Sequence, residues 1–174
     1  MIWLIFQHSA RKLSIDKSIL NGEIKNAIFD LLKNKTAWLQ VELNDSGQLI
    51  STLVDRGEKI YRIRESGEIY PDLLDAKFKC ELFYLNQSAK ATFKRRTGEH
   101  SVQFGSLFLF RNGFRVFPIG EEEDDYWKVN RRKAQGYSRY LGSRDIMGRV
   151  DIAGPETKFK ESSSRDKGLV ETEA

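Results

Sequence analysis

Basic residues in the second half of the sequence are the side chains whose types and spacing could do chemistry. One group is Lys94, Arg95 and Arg96, and a second group runs from residue 131 to residue 149. Guanidinium and ammonium groups bind phosphate oxygens, so the second group indicates either nucleic-acid phosphates or a nucleotide held elsewhere. A solvated, charged helix face is the alternative to both. The members of the second group are Arg131, Arg132, Lys133, Arg139, Arg144 and Arg149.

Arg165 lies in a different setting, a polar loop with the sequence Ser162-Ser-Ser-Arg-Asp166 that comes after a predicted strand. A guanidinium on such a loop can reach a γ-phosphate and stabilise the charge that develops on a transferred phosphoryl group. From residue types alone, an ordinary surface loop remains the favoured interpretation of this segment.

The other chemistry-bearing residues predict no catalytic or metal site. The acidic run Glu121–Asp125 lacks a calcium-loop pattern, and neighbouring carboxylates point in different directions, so we expect a solvated loop. His8 and His100 have no serine or cysteine partner at a known motif spacing. The single cysteine, Cys80, falls in a predicted strand and is expected to be a small core residue.

Hydrophobic periodicity predicts the elements that must position these residues in the first half of the chain. A helix is expected over 14–33, followed by strands over 36–43 and 48–54 and a short strand around Ile60–Ile63. A loop over 67–74 then precedes a strand over 78–85. The helix predicted next, over 87–97, has Asn86 as its cap and Gly98 as its stop.

The second half contains the clearest local signal, Asn112-Gly113, which predicts a hairpin between strands over 106–110 and 114–119. A helix over 131–141 is expected to start at Asn130, to end at Gly142 and to bury Ala134, Tyr137 and Leu141. A strand over 146–152 follows. This order of elements predicts an α+β fold, a two-layer mixed sheet with helices on one face.

Composition narrows the class of protein. The chain has 174 residues, 40% of them hydrophobic, and a formal net charge of +4, which permits a phosphate-bearing partner without requiring one. A single cysteine excludes a disulfide framework and a multi-cysteine zinc site. No apolar run is long enough to span a membrane, and Met1–Phe6 lacks the features of a signal peptide, so we expect no membrane partner and a cytoplasmic location.

Several stretches of the sequence resemble bacterial ATP-binding proteins of the GHKL type, the relatives of the heat-shock-ninety chaperones, the gyrase B subunit and the MutL mismatch-repair proteins. The resemblance covers roughly residues 48–174. It is most specific in Phe104–Gly120, in Arg131–Gly142 and in Arg144–Ile152, and Asp55-Arg56-Gly57 and Tyr84–Lys90 also fit.

In that superfamily an ATP-binding domain precedes a transducer domain, which has the fold of the second domain of small-subunit ribosomal protein five. The resemblance implies that this chain is a transducer without its nucleotide domain. No phosphate-binding glycine loop is present, and Glu23 and Asn26 are three residues apart where the magnesium-binding helix of the superfamily needs four.

The resemblance also implies roles for individual residues. Gly148-Arg149-Val150-Asp151 and Ser164-Arg165-Asp166 look like the chaperone elements whose arginine reaches the γ-phosphate of ATP, although Ser162 stands where the chaperones have Asn and Asp166 where they have Glu. Arg165 is thereby the expected phosphate contact. The gyrase and MutL relatives use a transducer lysine instead, for which Lys133 and Lys167 are the candidates.

These expectations extend to domains, cofactors and partners. Residues 1–75 are expected to form an N-terminal extension of a helix and a β-hairpin, and 76–174 a transducer domain cut short at its C-terminus. ATP and Mg²⁺ are expected as cofactors of the full-length protein, with neither bound by this chain alone. The expected partner is the GHKL nucleotide-binding domain of the same protein. A homodimer is a further possibility, as is DNA or RNA bound through Arg131, Arg132, Arg139 and Arg144.

Overall fold

One mixed sheet of seven strands organises the computed structural model, which describes residues 27–66, 71–155, 158–162 and 167–170. The strand order across the sheet is β3-β2-β1-β4-β7-β5-β6. The strands are β1 (Ala37–Leu43), β2 (Leu49–Asp55), β3 (Glu58–Glu65), β4 (Lys79–Tyr84), β5 (Leu107–Arg111), β6 (Phe114–Val116) and β7 (Ile146–Ile152). The α-helices are α1 (Ala27–Lys35), α2 (Gln87–Thr97), α3 (Ser101–Phe104) and α4 (Val129–Ala134).

All strand pairs are antiparallel except β5 with β7, which run parallel. The connection between these two strands carries β6 and α4, as parallel neighbours require a crossover. The expected order of the second half, strand, helix, hairpin, helix and strand, is therefore confirmed, and so is the α+β class with a mixed sheet.

Each face of the sheet has its own hydrophobic core. On one face, which we call the helix face, Leu32 of α1 and Ala89 and Phe93 of α2 pack with Phe83 and Met147 of the sheet. On the opposite face, which we call the loop face, the described residues that cover the sheet are connecting segments. Its core consists of Leu107, Leu109, Val116, Ile119, Val150 and Ile152, with Trp127, Phe159 and Leu169 packed against it.

Two local predictions are confirmed by their backbone geometry. The side chain of Asn86 accepts a hydrogen bond of 2.8 Å from the backbone N–H of Ala89, and Gly98 ends α2 at φ 84°. Asn112 and Gly113 have φ values of 50° and 83°, the two positive angles that a tight hairpin turn of this kind needs.

The helix predicted over 131–141 is wrong in both its ends and its packing. The observed helix, α4, is Val129–Ala134, preceded by Lys128, and Asn130 lies inside it. Gln135 and Gly136 close it with bonds back to Arg132 and Lys133, and the chain then continues as turns. The expected apolar face does not form, because Tyr137 is 78% exposed, Leu141 is 45% exposed and Ala134 is also exposed.

The other differences from the predicted elements are smaller. The strand predicted over 114–119 ends at Val116, since Pro118 has no N–H to extend the ladder. Residues 67–70 of the loop predicted over 67–74 lie outside the described residues, and the rest of it belongs to a 3₁₀ turn, Pro71–Ala76. The short helix α3 was not predicted. The third strand is eight residues long. Residues 14–26 of the helix predicted over 14–33 lie outside the described residues, while α1 extends to Lys35.

The sheet continues across the expected division at residue 75. β1 pairs with β4 over five residues, from Trp38 opposite Phe83 to Glu42 opposite Lys79. The hairpin of β1 and β2 is thus hydrogen-bonded into the sheet that contains β4, β5 and β7. Among the described residues the longest α-helix, α2, has 11 residues, and none of the helices could cross a membrane.

Candidate functional site

Most of the predicted site residues lie on residues 126–145, which we call the basic segment. Trp127 fixes it to the sheet: the indole packs against the loop-face core, and its Nε1–H donates a hydrogen bond of 2.8 Å to the carbonyl of Leu107. The start of the segment therefore has a defined position relative to β5.

The acidic run just before the basic segment organises the backbone. Asp125 accepts hydrogen bonds from the amides of Asn130, at 2.9 Å, and Arg131, at 3.0 Å, which are in the first turn of α4. Asp124 accepts from the amide of Gly120 at 2.9 Å. Glu121 forms an ion pair with Arg115. Within the described part of the chain, no group of three His, Cys, Asp or Glu side chains is placed to hold a metal ion.

The two ends of the basic segment are joined by Asn130 and Ser143. The side chain of Asn130 donates to the hydroxyl of Ser143 at 2.8 Å and accepts from the Ser143 amide at 2.9 Å. This use of the Asn130 side chain explains why it does not cap the helix as predicted. The intervening turns, 135–141, are closed into a loop that returns the chain to β7.

Asp145 is the centre of the charge arrangement. Its carboxylate accepts hydrogen bonds from Lys133, from Lys90 of α2 at 3.0 Å and from the Gly142 amide at 3.1 Å. Partial burial acts to raise the pKa of Asp145, but the hydrogen bonds from Lys133, Lys90 and Gly142 outweigh it and lower the pKa to about 2. The carboxylate is therefore ionised at neutral pH and holds both ammonium groups.

The four arginines predicted to contact phosphate, Arg131, Arg132, Arg139 and Arg144, are all exposed. None has an ion-pair partner among the described residues. The guanidinium of Arg132 lies 5.5 Å from the ring centroid of Tyr140, which is 41% exposed. These cations stay available to an external anion, whereas Lys133 is already ion-paired.

Two clefts open on the basic segment. One has a volume of about 500 Å³ and is lined by Lys133, Tyr137, Ser143 and Arg144 among others. The other, also about 500 Å³, is lined by Trp127, Arg131, Arg132 and Tyr140 among others. The structure thus brings Lys133 together with Arg144 in one cleft and Arg131 together with Arg132 in the other.

Lys167 is more than twenty positions after the basic segment in the sequence, but the residues that follow it pack close to the start of that segment. The side chain of Lys167 is exposed. The next residue, Gly168, lies against Ile119 and Tyr126, so a Cβ there would be 2.6 Å from Ile119 and 3.8 Å from Tyr126. Leu169 packs in the same core as Trp127. Arg165, like His8, lies outside the described residues.

The remaining candidates have structural roles. The guanidinium of Arg149 donates to Asp151, with Nε 2.7 Å from Oδ2, and lies 4.3 Å from the centroid of Phe110. The hydrogen bond to Asp151 raises the pKa of Arg149. Cys80 packs against the loop-face core, and burial, helped by Glu81 and Asp151, raises its pKa to about 11. Cys80 therefore lies in a strand, as predicted, and is half-buried beside the core rather than inside it.

Sequence reasoning missed Asp145, which holds Lys133 in place. One signal was present: Asp145 is an isolated carboxylate between Arg144 and a predicted strand, shortly after a group of basic residues. No protein-family model matches this sequence, and no curated protein matches it.

Proposed function

We propose that this chain is the transducer module of a GHKL-type ATPase and that the basic segment docks on the ATP-binding domain. The observation that carries the proposal is the position of Lys133. This lysine lines an open cleft together with Arg144, and its ammonium group is hydrogen-bonded to the carboxylate of Asp145.

The ion pair gives Lys133 a preset position. An ammonium group on a long side chain loses conformational freedom when it binds a phosphate, and a prior ion pair removes part of that cost before the ligand arrives. Lys133 and Arg144 would then offer two cations to one anion at the cleft. The γ-phosphate of ATP would be that anion, and hydrolysis would transfer it to water as inorganic phosphate, so that the two cations would no longer hold a group linked to the nucleotide.

Arg165 has its role in this proposal from the resemblance alone. A guanidinium that contacts the γ-phosphate would make docking dependent on the triphosphate, and hydrolysis would release the module. Lys167 is the second lysine candidate, and its neighbours Gly168 and Leu169 pack beside the start of the basic segment.

Turnover of the full-length ATPase tests the proposal with a matched pair of variants. Lys133→Met and Lys90→Met each remove one ammonium partner of Asp145, but the cleft beside Arg144 is lined by Lys133 and not by Lys90. We expect Lys133→Met to lower the hydrolysis rate by about tenfold or more with ATP affinity unchanged. Lys90→Met should leave turnover within about twofold.

Arg165→Ala belongs in the same experiment. We expect it to collapse hydrolysis and spare ATP affinity, because arginine contacts to a transferred phosphoryl group contribute about a thousandfold or more in rate. Equal turnover of the wild type and the Lys133 and Arg165 variants would remove both residues from the mechanism.

Association of separate pieces tests the docking step directly. Calorimetric titration of this chain with Mg·ATP alone should give no heat of binding. Adding the ATP-binding domain as a second piece should give association in ATP and none in ADP. Tight binding of Mg·ATP by the chain alone would refute the assignment of the nucleotide to another domain.

A second candidate function, single-stranded nucleic-acid binding, is favoured by exposed aromatic rings between the free arginines. Tyr137 and Tyr140 are 78% and 41% exposed, and they alternate in the sequence with the exposed arginines Arg132, Arg139 and Arg144. Proteins that bind single strands combine a positive surface with rings on which bases stack.

Oligothymidylate binding tests this candidate. We expect the affinity to fall steeply with salt and the double variant Arg131→Glu/Arg132→Glu to lose about tenfold or more. The matched control Arg62→Glu/Arg64→Glu makes the same charge change on β3 and should bind as the wild type does. Absence of binding at low salt would exclude this function.

A further inference from the structure

The outermost strand on one side of the sheet, β3, has an edge that no other described strand pairs with. All eight residues of Glu58–Glu65 are exposed, and β2 is the one strand that pairs with β3 in the described part of the chain. Ile60 is 56% exposed, Ile63 49% and Tyr61 39%. An edge strand of this length presents unpaired N–H and C=O groups along its outer side, and these groups can pair with another strand.

On the helix face, the side chains of β3 are basic. Arg62 lies opposite Thr52 and Arg64 opposite Ile50 in the pairing with β2. Lys59 and Arg62 line a cleft of about 530 Å³, together with Lys33 of α1 and one carboxylate, Glu42. The three cations outnumber this carboxylate, so an anionic side chain entering the cleft would be attracted.

Lys59, Arg62 and Arg64 are uncommitted to any ion pair among the described residues. All three belong to the outermost strand, so their positive charge would act directly on a strand that paired with β3. Lys33 is different, because its ammonium group is shared with Glu81 at 3.6 Å.

On the loop face, the middle of the same strand is apolar, and Glu58 and Glu65 lie at its two ends. Tyr61 continues a row that runs through Leu53 of β2 to Leu39 of β1, and Ile63 continues a row through Ser51 to Val41. Next to these rows is a cavity of about 280 Å³ lined by Val41, Leu43, Leu49, Leu73 and Phe78. Apolar side chains added along this face would be removed from water.

We propose that β3 is a docking edge for an extended segment of a partner in which acidic and apolar residues alternate. Such a segment would add an eighth strand by backbone hydrogen bonds. Because side chains alternate between the faces of a strand, its acidic residues would meet Arg62 and Arg64 on the helix face. Its apolar residues would meet Tyr61 and Ile63 on the loop face.

Charge disfavours a second copy of this chain as the occupant. A symmetric antiparallel pairing of β3 with itself keeps each face continuous, so residues on the same face lie opposite one another. Centred on residue 62, 63 or 64, such a pairing sets an arginine opposite an arginine, Arg62 or Arg64 in every case. Like charges directly opposite destabilise a strand pair, whereas carboxylates opposite these arginines stabilise it.

The proposal does not depend on the proposed ATPase function, and its test uses synthetic peptides. The probe is a short, acetylated peptide of alternating Glu and Val with a fluorescent label. Two control peptides are alternating Lys and Val, and the Glu and Val peptide with its backbone amides methylated. We expect the first peptide to bind and neither control peptide to bind. Binding of the first peptide should also slow hydrogen exchange of β3 amides.

Charge reversal makes the test independent of folding defects. The variant Arg62→Glu/Arg64→Glu should lose about tenfold or more in affinity for the Glu peptide and should gain affinity for the Lys peptide. Arg131→Glu/Arg132→Glu makes the same change in net charge on the basic segment and should bind as the wild type does. A preference that does not switch with the charge on β3 would overturn the proposal.

Hydrogen exchange of β3 amides in the chain without peptide is the last measurement. Full protection of all β3 amides before peptide is added would overturn the proposal, because the edge would already be occupied. Sedimentation would then assign the occupant, with a dimer indicating a second copy and a monomer indicating another part of this chain. Binding of both charge types with equal affinity would also refute it.

Discussion

At the scale of single residues, Asp145 decides the chemistry available to the basic segment. Its carboxylate joins Lys133 and Lys90, which are distant in sequence, to the Gly142 amide. Lys133 is therefore a positioned cation, whereas Arg131, Arg132, Arg139 and Arg144 remain exposed. A lysine held in this way is suited to orienting a bound anion. Exposed arginines without an ion pair are suited to attracting an anion from solution.

The stability contribution of Asp145 should depend on pH. Its pKa is lowered from 3.8 to about 2 in the folded chain, so the stabilisation is present above pH 4 or so and is lost as pH falls through the folded-state pKa. Asp145→Asn should lower the free energy of unfolding by about 2 kcal/mol at pH 7 and by about half of that at pH 3. Urea unfolding at the two pH values measures both differences.

Asp75→Asn is the matched control for this prediction. Asp75 pairs with Lys158 at 3.6 Å, but its side chain is 86% exposed, so its removal should leave stability unchanged at both pH values. A difference between Asp145→Asn and the wild type that is the same at pH 7 and pH 3 would show that the carboxylate charge is not what stabilises the fold.

Cys80 should react slowly with alkylating reagents in the folded chain. Burial, together with Glu81 and Asp151, raises its pKa to about 11, and the thiolate is the reactive form. We expect the rate of iodoacetamide modification at pH 8 to be at least about tenfold lower than in urea. Modification followed by mass spectrometry gives both rates, and equal rates would contradict the described packing.

At the scale of elements, one close contact positions β7 next to β4. Gly148 faces the backbone of β4 so closely that a Cβ would lie 2.1 Å from the carbonyl oxygen of Glu81. β7 follows directly after Asp145. The close contact between β7 and β4 therefore also fixes the position at which the basic segment joins the sheet.

Gly148→Ala should therefore destabilise the sheet by about 2 kcal/mol or more, because the clash is with backbone and cannot be relieved by a side-chain rotation. Gly136→Ala is the control, since its Cβ would lie 3.3 Å from the ring of Tyr140, which is 41% exposed and can move. We expect a change within about 0.5 kcal/mol there. Thermal unfolding compares the two, and equal effects would contradict the geometry.

Predictions of elements succeeded where the determinants are local. Asn86 with Gly98 and Asn112 with Gly113 define a helix and a turn through their own backbone preferences, and all four behave as predicted. The helix expected over 131–141 failed because its boundaries depend on distant partners. The carboxylate of Asp125 caps α4, and the Asn130 side chain is committed to Ser143.

At the scale of the whole molecule, the sheet joins the first and second halves of the chain. β1 pairs with β4 across residue 75, so β4 is hydrogen-bonded on both sides, to β1 and to β7. Loss of either neighbour would expose a strand with Phe83 at the centre of the helix-face core.

We therefore expect one cooperative unfolding transition for both halves. The sequence contains three tryptophans. With Trp3 replaced by Phe, single-tryptophan chains that retain Trp38 of β1 or Trp127 of the basic segment would report on each half separately. Each chain should show the same urea midpoint by its own fluorescence as by circular dichroism of its whole backbone. Within either chain, a fluorescence midpoint that departs from the circular dichroism midpoint would indicate that residues 1–75 unfold independently.

The residue pattern was sufficient for the fold class, for most strands and for the identity of the basic residues, because periodicity and turn chemistry act over a few neighbouring positions. Tertiary structure decided which of those residues are free. Lys133 and Arg131 are two positions apart and look equivalent in sequence, yet one is paired with Asp145 and the other is exposed. The edge of β3 that no other described strand pairs with likewise depends on strand order, because alternation of side chains shows which residues share a face but not which strand has a neighbour.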